Sequence, residues 1–278
     1  MAINISKKFD SPWNHFCSNL DLEIINVGIA RDFFNWRRFG LTAEPFFRLY
    51  LPVKGAFTME YSFGSFEVSP GSLYLFPPWI PCRFVSIKPC SHYWIHFVSE
   101  QLRLLPSASR PQEIKLDNTA CLRFRNDFRK LLKLSMEDLD ISRCIEVRMQ
   151  MEAMIKPFMA LIQQDASSEA VHAMELKPVL DYIENNFTRQ IRIEELSDLA
   201  GLSRVEFSKR FHAAFGLPPK QYISARRISH AKNLLLETNL TVKEIAFQCG
   251  YDNEYFFSRI FKEYAMSSPR KFRNLYNT

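Results

Sequence analysis

A chain of 278 residues, 47% of them apolar, is long enough for two packed domains and apolar enough to give each a core. Its net charge of +6 and pI near 9.0 are a mild basic bias, which alone points only loosely toward nucleic acid. Cys17, Cys82, Cys90, Cys121, Cys144 and Cys249 form no CxxC pair and no Cys/His cluster, which argues against a zinc finger or a disulfide framework and fits a reducing compartment.

The first residues, MAINISKKFDSPWNHF, lack the apolar stretch of a signal peptide, and no apolar run approaches the roughly 20 residues that span a bilayer. The expectation is a soluble, cytoplasmic protein with no membrane contact, associated with the nucleoid. Before residue 112 the chain alternates short apolar stretches with turn signals: FFRLYLPV, AFTMEYSF, FEV, SLYLFPP, CRFVSI and HYWIHFV, broken at Lys54-Gly55, Gly64-Ser65, Ser69-Pro70-Gly71 and Lys88-Pro89. Such spacing predicts antiparallel strands of a sandwich or barrel. Phe is unusually common at 25 residues, which suits either dense packing or a pocket that stacks planar or sugar ligands.

From about Asn118 to Gln164 the pattern turns helical. Leu122, Phe128, Leu131, Leu132 and Leu134 mark one helix and Ile145, Met149, Met154, Phe158 and Leu161 a second. A break is expected near Asp138–Asp140 and a kink at Pro157. This pair can be a spacer, a dimer face, or packing for the β region. QDASSEAVHAM (164–174) is small and polar, and reads as a linker. The division is therefore an effector region over 1–116, a helical spacer or dimerisation region over 117–164, a linker over 165–174 and a helical domain over 175–278.

That last domain contains an internal repeat. IEELSDLAGLSRVEFSKRFHAAFGLPPKQY returns as VKEIAFQCGYDNEYFFSRIFKEYAMSSPRKF, with Gly201 matching Gly250 and, one inserted residue later, Phe207 matching Phe257 and Phe211 matching Phe261. In each copy an apolar-periodic helix ends at a glycine that tolerates the left-handed turn, and a capping residue opens the next helix: Ser203 in the first copy, Asp252 in the second. Helix, glycine turn and capped helix make a helix-turn-helix. At 100° per residue Phe207, Phe211 and Phe215 face inward, while Val205, Ser208, Lys209 and His212 face outward. The second copy matches, with Tyr255, Ser258, Arg259 and Lys262 opposite Phe257, Phe261 and Tyr264. Lys209 and Arg259 are suited to guanine O6 and N7, and His212 and Lys262 to phosphates.

The sequence resembles the AraC/XylS family of transcription regulators. The resemblance is carried by IEELSDLAGLS (193–203), Arg210-Phe211, GLPPKQYI (216–223), RRISHAKNLL (226–235), IAFQCGY (245–251), YFFSRIFK (255–262) and SPRKFR (268–273), over about Leu176–Tyr276. It implies two recognition helices joined by a central helix, roughly Pro219–Leu236, entering successive major grooves of double-stranded DNA. Val205, Ser208, Lys209, Glu254, Tyr255, Ser258 and Arg259 match the family's base-contacting positions; Arg204, His212, Asn253 and Lys262 complete the DNA-binding set. Where the family has Gly before Ser267-Ser268-Pro269 this chain has Met266, so the second recognition helix is expected to end differently.

LPVKG (51–55), VSPGSLYLFPP (68–78) and HYWIHF (92–97) resemble the family's cupin-like effector domain. The fold expected is thus α+β and multidomain: a cupin-like β-barrel with a helical pair, then an all-α domain with two helix-turn-helix units. Strand alternation puts His92, Trp94 and His96 on one face, and Arg48 and Tyr50 on one face of an earlier strand. A Trp platform with Arg and His donors suits a polyol. His92 and Trp94 match effector-contacting positions of arabinose-responsive relatives, and Phe84 matches a Tyr there. The resemblance implies an activator that contacts RNA polymerase, a homodimer, and a sugar or glycoside effector. The alternative is an effector-independent regulator whose barrel only dimerises. A cupin enzyme would need several His and a carboxylate on a metal; this barrel has no HxH pair, so no enzyme, metal or cofactor is expected.

Overall fold

A computed structural model describes residues 20–33, 44–61, 64–86, 88–103, 106–137, 140–164 and 175–276. The apolar stretches of the first part form strands β2 (Phe47–Lys54), β3 (Phe57–Tyr61), β4 (Gly64–Val68), β5 (Ser72–Phe76), β6 (Cys82–Val85) and β7 (Cys90–Val98). Sequence patterning had not supplied β1 (Glu23–Phe33), which pairs with β7, or the short edge strand β8 (Gln112–Lys115), which pairs with β5. All pairings are antiparallel, in a five-stranded sheet ordered β1-β7-β2-β5-β8 and a three-stranded sheet ordered β4-β3-β6.

The two-residue period of a strand sorts the side chains of the larger sheet. Phe47, Leu49, Leu51, Leu73, Leu75, Tyr93, Ile95 and Phe97 join a core with the helices behind it. The alternating Tyr50, Tyr74 and Phe76 instead pack with Phe57, Met59 and Phe84 of the smaller sheet. Covered on both faces, these strands read as nearly continuous apolar runs.

A short helix α1 (Glu100–Arg103) precedes the longer pair α2 (Asn118–Leu134) and α3 (Ile141–Gln164). Asp117 caps α2 by accepting the Ala120 N–H, and Asp140 accepts the Arg143 N–H at the start of α3, so the chain breaks between them where expected. α3 continues through Pro157. Phe124, Phe128, Leu131, Met151, Met154, Ile155 and Phe158 bury the pair against the sheet, whereas Leu122, Ile145 and Met149 are exposed, together with Met136 and Ile141. The expected Met154 and Phe158 do face the sheet, joined there by Met151 and Ile155, whereas the expected Ile145 and Met149 lie off that face. The linker expected over 165–174 lies outside the described residues.

Seven helices follow: α4 (Lys177–Asn186), α5 (Ile193–Leu199), α6 (Arg204–Phe215), α7 (Pro219–Glu237), α8 (Val242–Gln248), α9 (Glu254–Ala265) and α10 (Pro269–Tyr276). They make two cores. One gathers Val179, Leu180, Ile183, Leu196, Phe207, Phe211, Phe215 and Tyr222; the other Ile228, Leu235, Ile245, Ala246, Phe257, Phe261 and Tyr264. The first turns of α7 belong to one core and its remainder to the other, so α7 is structural to both units. Among the described residues no helix is long and apolar enough to cross a membrane.

The β-domain and the helical domain share packing. Trp79, between β5 and β6, is buried within the first helical core, and the Arg226 guanidinium of α7 lies 3.9 Å from its ring. Arg103 of α1 bonds Glu184 of α4 and the Tyr222 hydroxyl of α7, each at 3.2 Å.

Candidate nucleic-acid interface and ligand pocket

Each repeat builds the same local structure. In the first, α5 gives way to Gly201 at φ 65, and Ser203 Oγ accepts the Glu206 N–H to start α6. In the second, α8 gives way to Gly250 at φ 76, and α9 is capped by Asn253, whose Oδ1 accepts the Phe256 N–H at 2.9 Å. The cap is thus one residue later than the expected Asp252. Asp252 instead accepts from Gln190 Nε2, which also reaches the Gly250 carbonyl and ties the loop before α5 to the turn of the second unit.

The buried faces of α6 and α9 are those expected: Phe207, Phe211 and Phe215 in one, Phe257, Phe261 and Tyr264 in the other. Their outward faces match position by position. Val205 and Tyr255 are 80% and 85% exposed, Ser208 and Ser258 half-buried, and Lys209, Arg259, His212 and Lys262 exposed. Lys209, His212, Arg259 and Lys262 enter no salt bridge among the described residues, whereas Arg204 pairs with Glu194 at 2.9 Å. Ser208 Oγ donates to the Arg204 carbonyl, and Arg259 lies over the Phe256 ring. Glu254 is half-buried in the first turn of α9. Arg204 and Asn253 are therefore engaged at the helix starts, and the basic or titratable groups outside any salt bridge among the described residues lie further along.

Met266 keeps the turn that ends α9, although the bond from the Gly216 N–H to the His212 carbonyl at the end of α6 has no counterpart at Met266 among the described residues. It adopts the left-handed C-cap (φ 52, ψ 13) that Gly216 (φ 70) adopts at the end of α6. Its side chain extends toward the β-domain, with Sδ 3.6 Å from Arg83 Nη2. Residue-type reasoning also missed Arg227 of α7. It donates to the carbonyls of Phe187 and Arg189, each at 2.7 Å, and its guanidinium lies 5.1 Å from the Tyr251 ring, so it joins the two units. An arginine on a helix gives no sequence sign of such carbonyl partners.

In the β-domain, all six residues expected at an effector site line one cavity of about 450 Å³: Arg48, Tyr50, Phe84, His92, Trp94 and His96. The register explains it, because Arg48 stands opposite His96 and Tyr50 opposite Trp94. His96 stacks between Phe46 (4.4 Å) and Trp94 (4.7 Å), and the Tyr50 hydroxyl lies 3.4 Å from its Nε2. Burial pushes His92 down to about 4; burial, then Arg48 and His92, push His96 down to about 3. Both imidazoles are therefore neutral near pH 7. The pocket's fixed cation is Arg48, almost wholly buried, with no hydrogen-bond partner for Nη2 among the described residues. Ala30, Phe33, Glu44 and Phe46 complete the lining and were not anticipated. Gly28 was also missed. A Cβ there would stand 2.3 Å from the Trp94 ring, so glycine on β1 is what lets the indole lie across that strand. Among the described residues no cluster of His, Cys, Asp or Glu could hold a metal ion.

Both halves match family models. Residues 27–143 match the AraC-like ligand binding domain and residues 196–275 a helix-turn-helix domain, which together take in well over half of the chain. The chain belongs to the AraC family of transcription regulators. An uncharacterized HTH-type transcriptional regulator of Staphylococcus aureus (strain MSSA476) is 25% identical over 57% of this AraC-family chain and 23% of its own length. The xylose operon regulatory protein of Escherichia coli (strain K12) is 30% identical over 34% of this chain and 24% of its own. These matches span about a quarter of the curated relatives. The crystal structure of unsaturated fatty acid bound ToxT from Vibrio cholerae (strain SCE256) shares the AraC-type fold over 91% of this chain and 94% of that one, with a TM-score of 0.59 at 12% identity.

Proposed function

We propose that this chain is a DNA-binding transcription regulator that reads two successive major grooves with α6 and α9 and answers to a small molecule held in the aromatic pocket. The observation that carries the reading is the matched outward chemistry of the two recognition helices, each with a large exposed residue, a hydroxyl and two basic or titratable groups that enter no salt bridge among the described residues. In this assignment Lys209 and Arg259 read bases, Val205 and Tyr255 make apolar or stacking contacts, and His212 and Lys262 hold phosphates. Arg204, Ser208, Asn253, Glu254 and Ser258 border the same surface. Selection of bound sequences from a random duplex pool tests it. Enrichment of a two-part, asymmetric site is expected; binding without sequence preference contradicts it.

The division of labour follows the chain: effector domain over 1–116, helical region over 117–164, DNA-binding domain over 175–278. Leu122, Met136, Ile141, Ile145 and Met149 are large exposed apolar residues of the helical region, and we assign their exposure to contact with a second copy of the chain. Sedimentation should show a dimer that Ile145→Glu with Met149→Glu converts to a monomer. Activation through contact with RNA polymerase is the family-based expectation, and transcription in a purified system checks it.

The effector we assign is a sugar or glycoside, stacked on Trp94 and hydrogen-bonded by Arg48, Tyr50, Glu44 and His96. The name of the Escherichia coli relative, a xylose operon regulator, supports a sugar. One observation favours a second class: Arg48 is a buried cation in a largely aromatic cup, with Nη2 left without a partner among the described residues although Glu44 also lines the cup, which suits an organic carboxylate. Thermal shifts with sugars, aryl glycosides and matched organic acids decide. Stabilisation by glycosides supports the first class and by acids alone the second. No stabilisation of a folded protein favours a β-domain that only dimerises.

A further inference from the structure

Glu44 stands where the pocket meets the helical domain. Its carboxylate lines the pocket beside Arg48 and accepts from Lys232 Nζ at 3.3 Å. Lys232 is nearly buried on α7, the helix shared by both recognition units. Burial works against the charge on Glu44, yet Lys232 and Arg48 together hold its carboxyl below the ordinary carboxylate range. The backbone of Glu44 is engaged as well, for its carbonyl accepts the Trp79 N–H at 2.8 Å. Trp79 is held at φ 63, a left-handed conformation unusual for a bulky residue, and its ring wedges into the first helical core under Arg226. Arg226 pairs with Glu184, which also takes Arg103.

One residue thus lies in the field of the pocket's cation, accepts from the central helix and holds the wedge that enters the first unit. We propose that Glu44 passes the state of the pocket to the two reading heads, with the Glu44–Lys232 pair and the Trp79 wedge as the parts that move. This rests on the reading of the pocket as an effector site. A ligand group bonded to Arg48 takes up attraction that otherwise falls on Glu44, and so shifts the carboxylate's balance between Arg48 and Lys232. Lys232, with little water within reach, follows the carboxylate rather than losing its partner, and α7 moves with it. A purely structural bridge would anchor the domains equally well but would be indifferent to Arg48.

Hydrogen exchange of α7 peptides on the full chain separates these cases. It is measured for the wild type, Arg48→Met, Lys232→Met and the double variant. Arg48→Met, a change inside the pocket, is expected to alter exchange in residues 219–237 about fivefold, and less than about twofold once Lys232→Met is present. Affinity for a selected duplex should follow the same non-additive pattern. No effect of Arg48→Met on α7, or equal effects in both backgrounds, overturns the proposal. If Arg48→Met fails to fold, Arg48→Gln takes its place in both backgrounds: it should alter exchange of α7 with Lys232 present and far less with Lys232→Met, while equal effects overturn the coupling. Non-additive exchange in a protein that binds no DNA would refute the DNA reading and leave the coupling standing.

Discussion

Gly201 and Gly250 occupy equivalent turns, both in the left-handed region, yet alanine should be tolerated at one and not at the other. A Cβ at Gly201 meets nothing within 4 Å, so Gly201→Ala carries only left-handed strain of about 1 kcal/mol, partly offset by a stiffer unfolded chain. At Gly250 the same atom would stand 2.4 Å from the Thr188 carbonyl oxygen, 2.8 Å from its carbon and 3.0 Å from Arg227 Nη2. The first two are backbone and cannot rotate away. The segment that must yield holds the Phe187 and Arg189 carbonyls, which accept from Arg227, and hydrogen bonds to a charged group contribute about 1.5–3 kcal/mol each. With overpacking of about 1–3 kcal/mol, the same strain and about 1 kcal/mol from weakening those bonds, Gly250→Ala should cost about 3–5 kcal/mol. Urea unfolding of the full chain, followed by helical circular dichroism, compares the two variants directly. Equal losses, within about 0.5 kcal/mol, would refute the claim that the second turn is packed against the first unit.

Other outcomes follow from the pocket and the reading faces. Below pH 6.5 the unfolded chain protonates His92 and His96 while the folded chain does not, because burial holds their pKa values near 4 and 3. Stability should therefore fall as pH drops from 6.5 toward 4, by up to about 2.7 kcal/mol per pH unit for the two groups, and His96→Phe should roughly halve that slope in a thermal unfolding series. Gly28→Ala should force the Trp94 indole into the cavity, shifting tryptophan emission and abolishing ligand-dependent stabilisation; an unchanged ligand response would contradict the packing at Gly28. His212→Ala and Lys262→Ala should weaken binding to every duplex alike and lower the salt dependence, whereas Lys209→Ala and Arg259→Ala should relax base choice at one position each in a binding-site selection.

The recognition helices were legible because two copies of a turn signal, a cap and a helical apolar period agree with one another. Five of the pocket residues were legible because a strand's alternation survives even where both its faces are buried, and Phe84 came from the family resemblance alone. What escaped were features with partners distant in sequence. Arg227 is an ordinary helical arginine until its carbonyl partners come together, and Trp79 belongs to the core of a different domain. Gly28 gives no turn signal, because its need is for space above β1 rather than for positive φ. The cap of α9 was misplaced by one residue because Asp252 and Asn253 are both good caps, and contact with Gln190 engages the first. Met266 departs from the glycine expectation yet keeps the left-handed turn, without the cap bond that Gly216 makes in the first copy among the described residues.

The central claim is that α6 and α9 each read one major groove on the same face of the DNA. Guanine N7 methylation protection on a selected duplex tests it most directly. Two protected patches about one helical turn apart are predicted for each protomer, one lost with Lys209→Ala and the other with Arg259→Ala. A single continuous patch, or loss of both patches with either substitution, would contradict it.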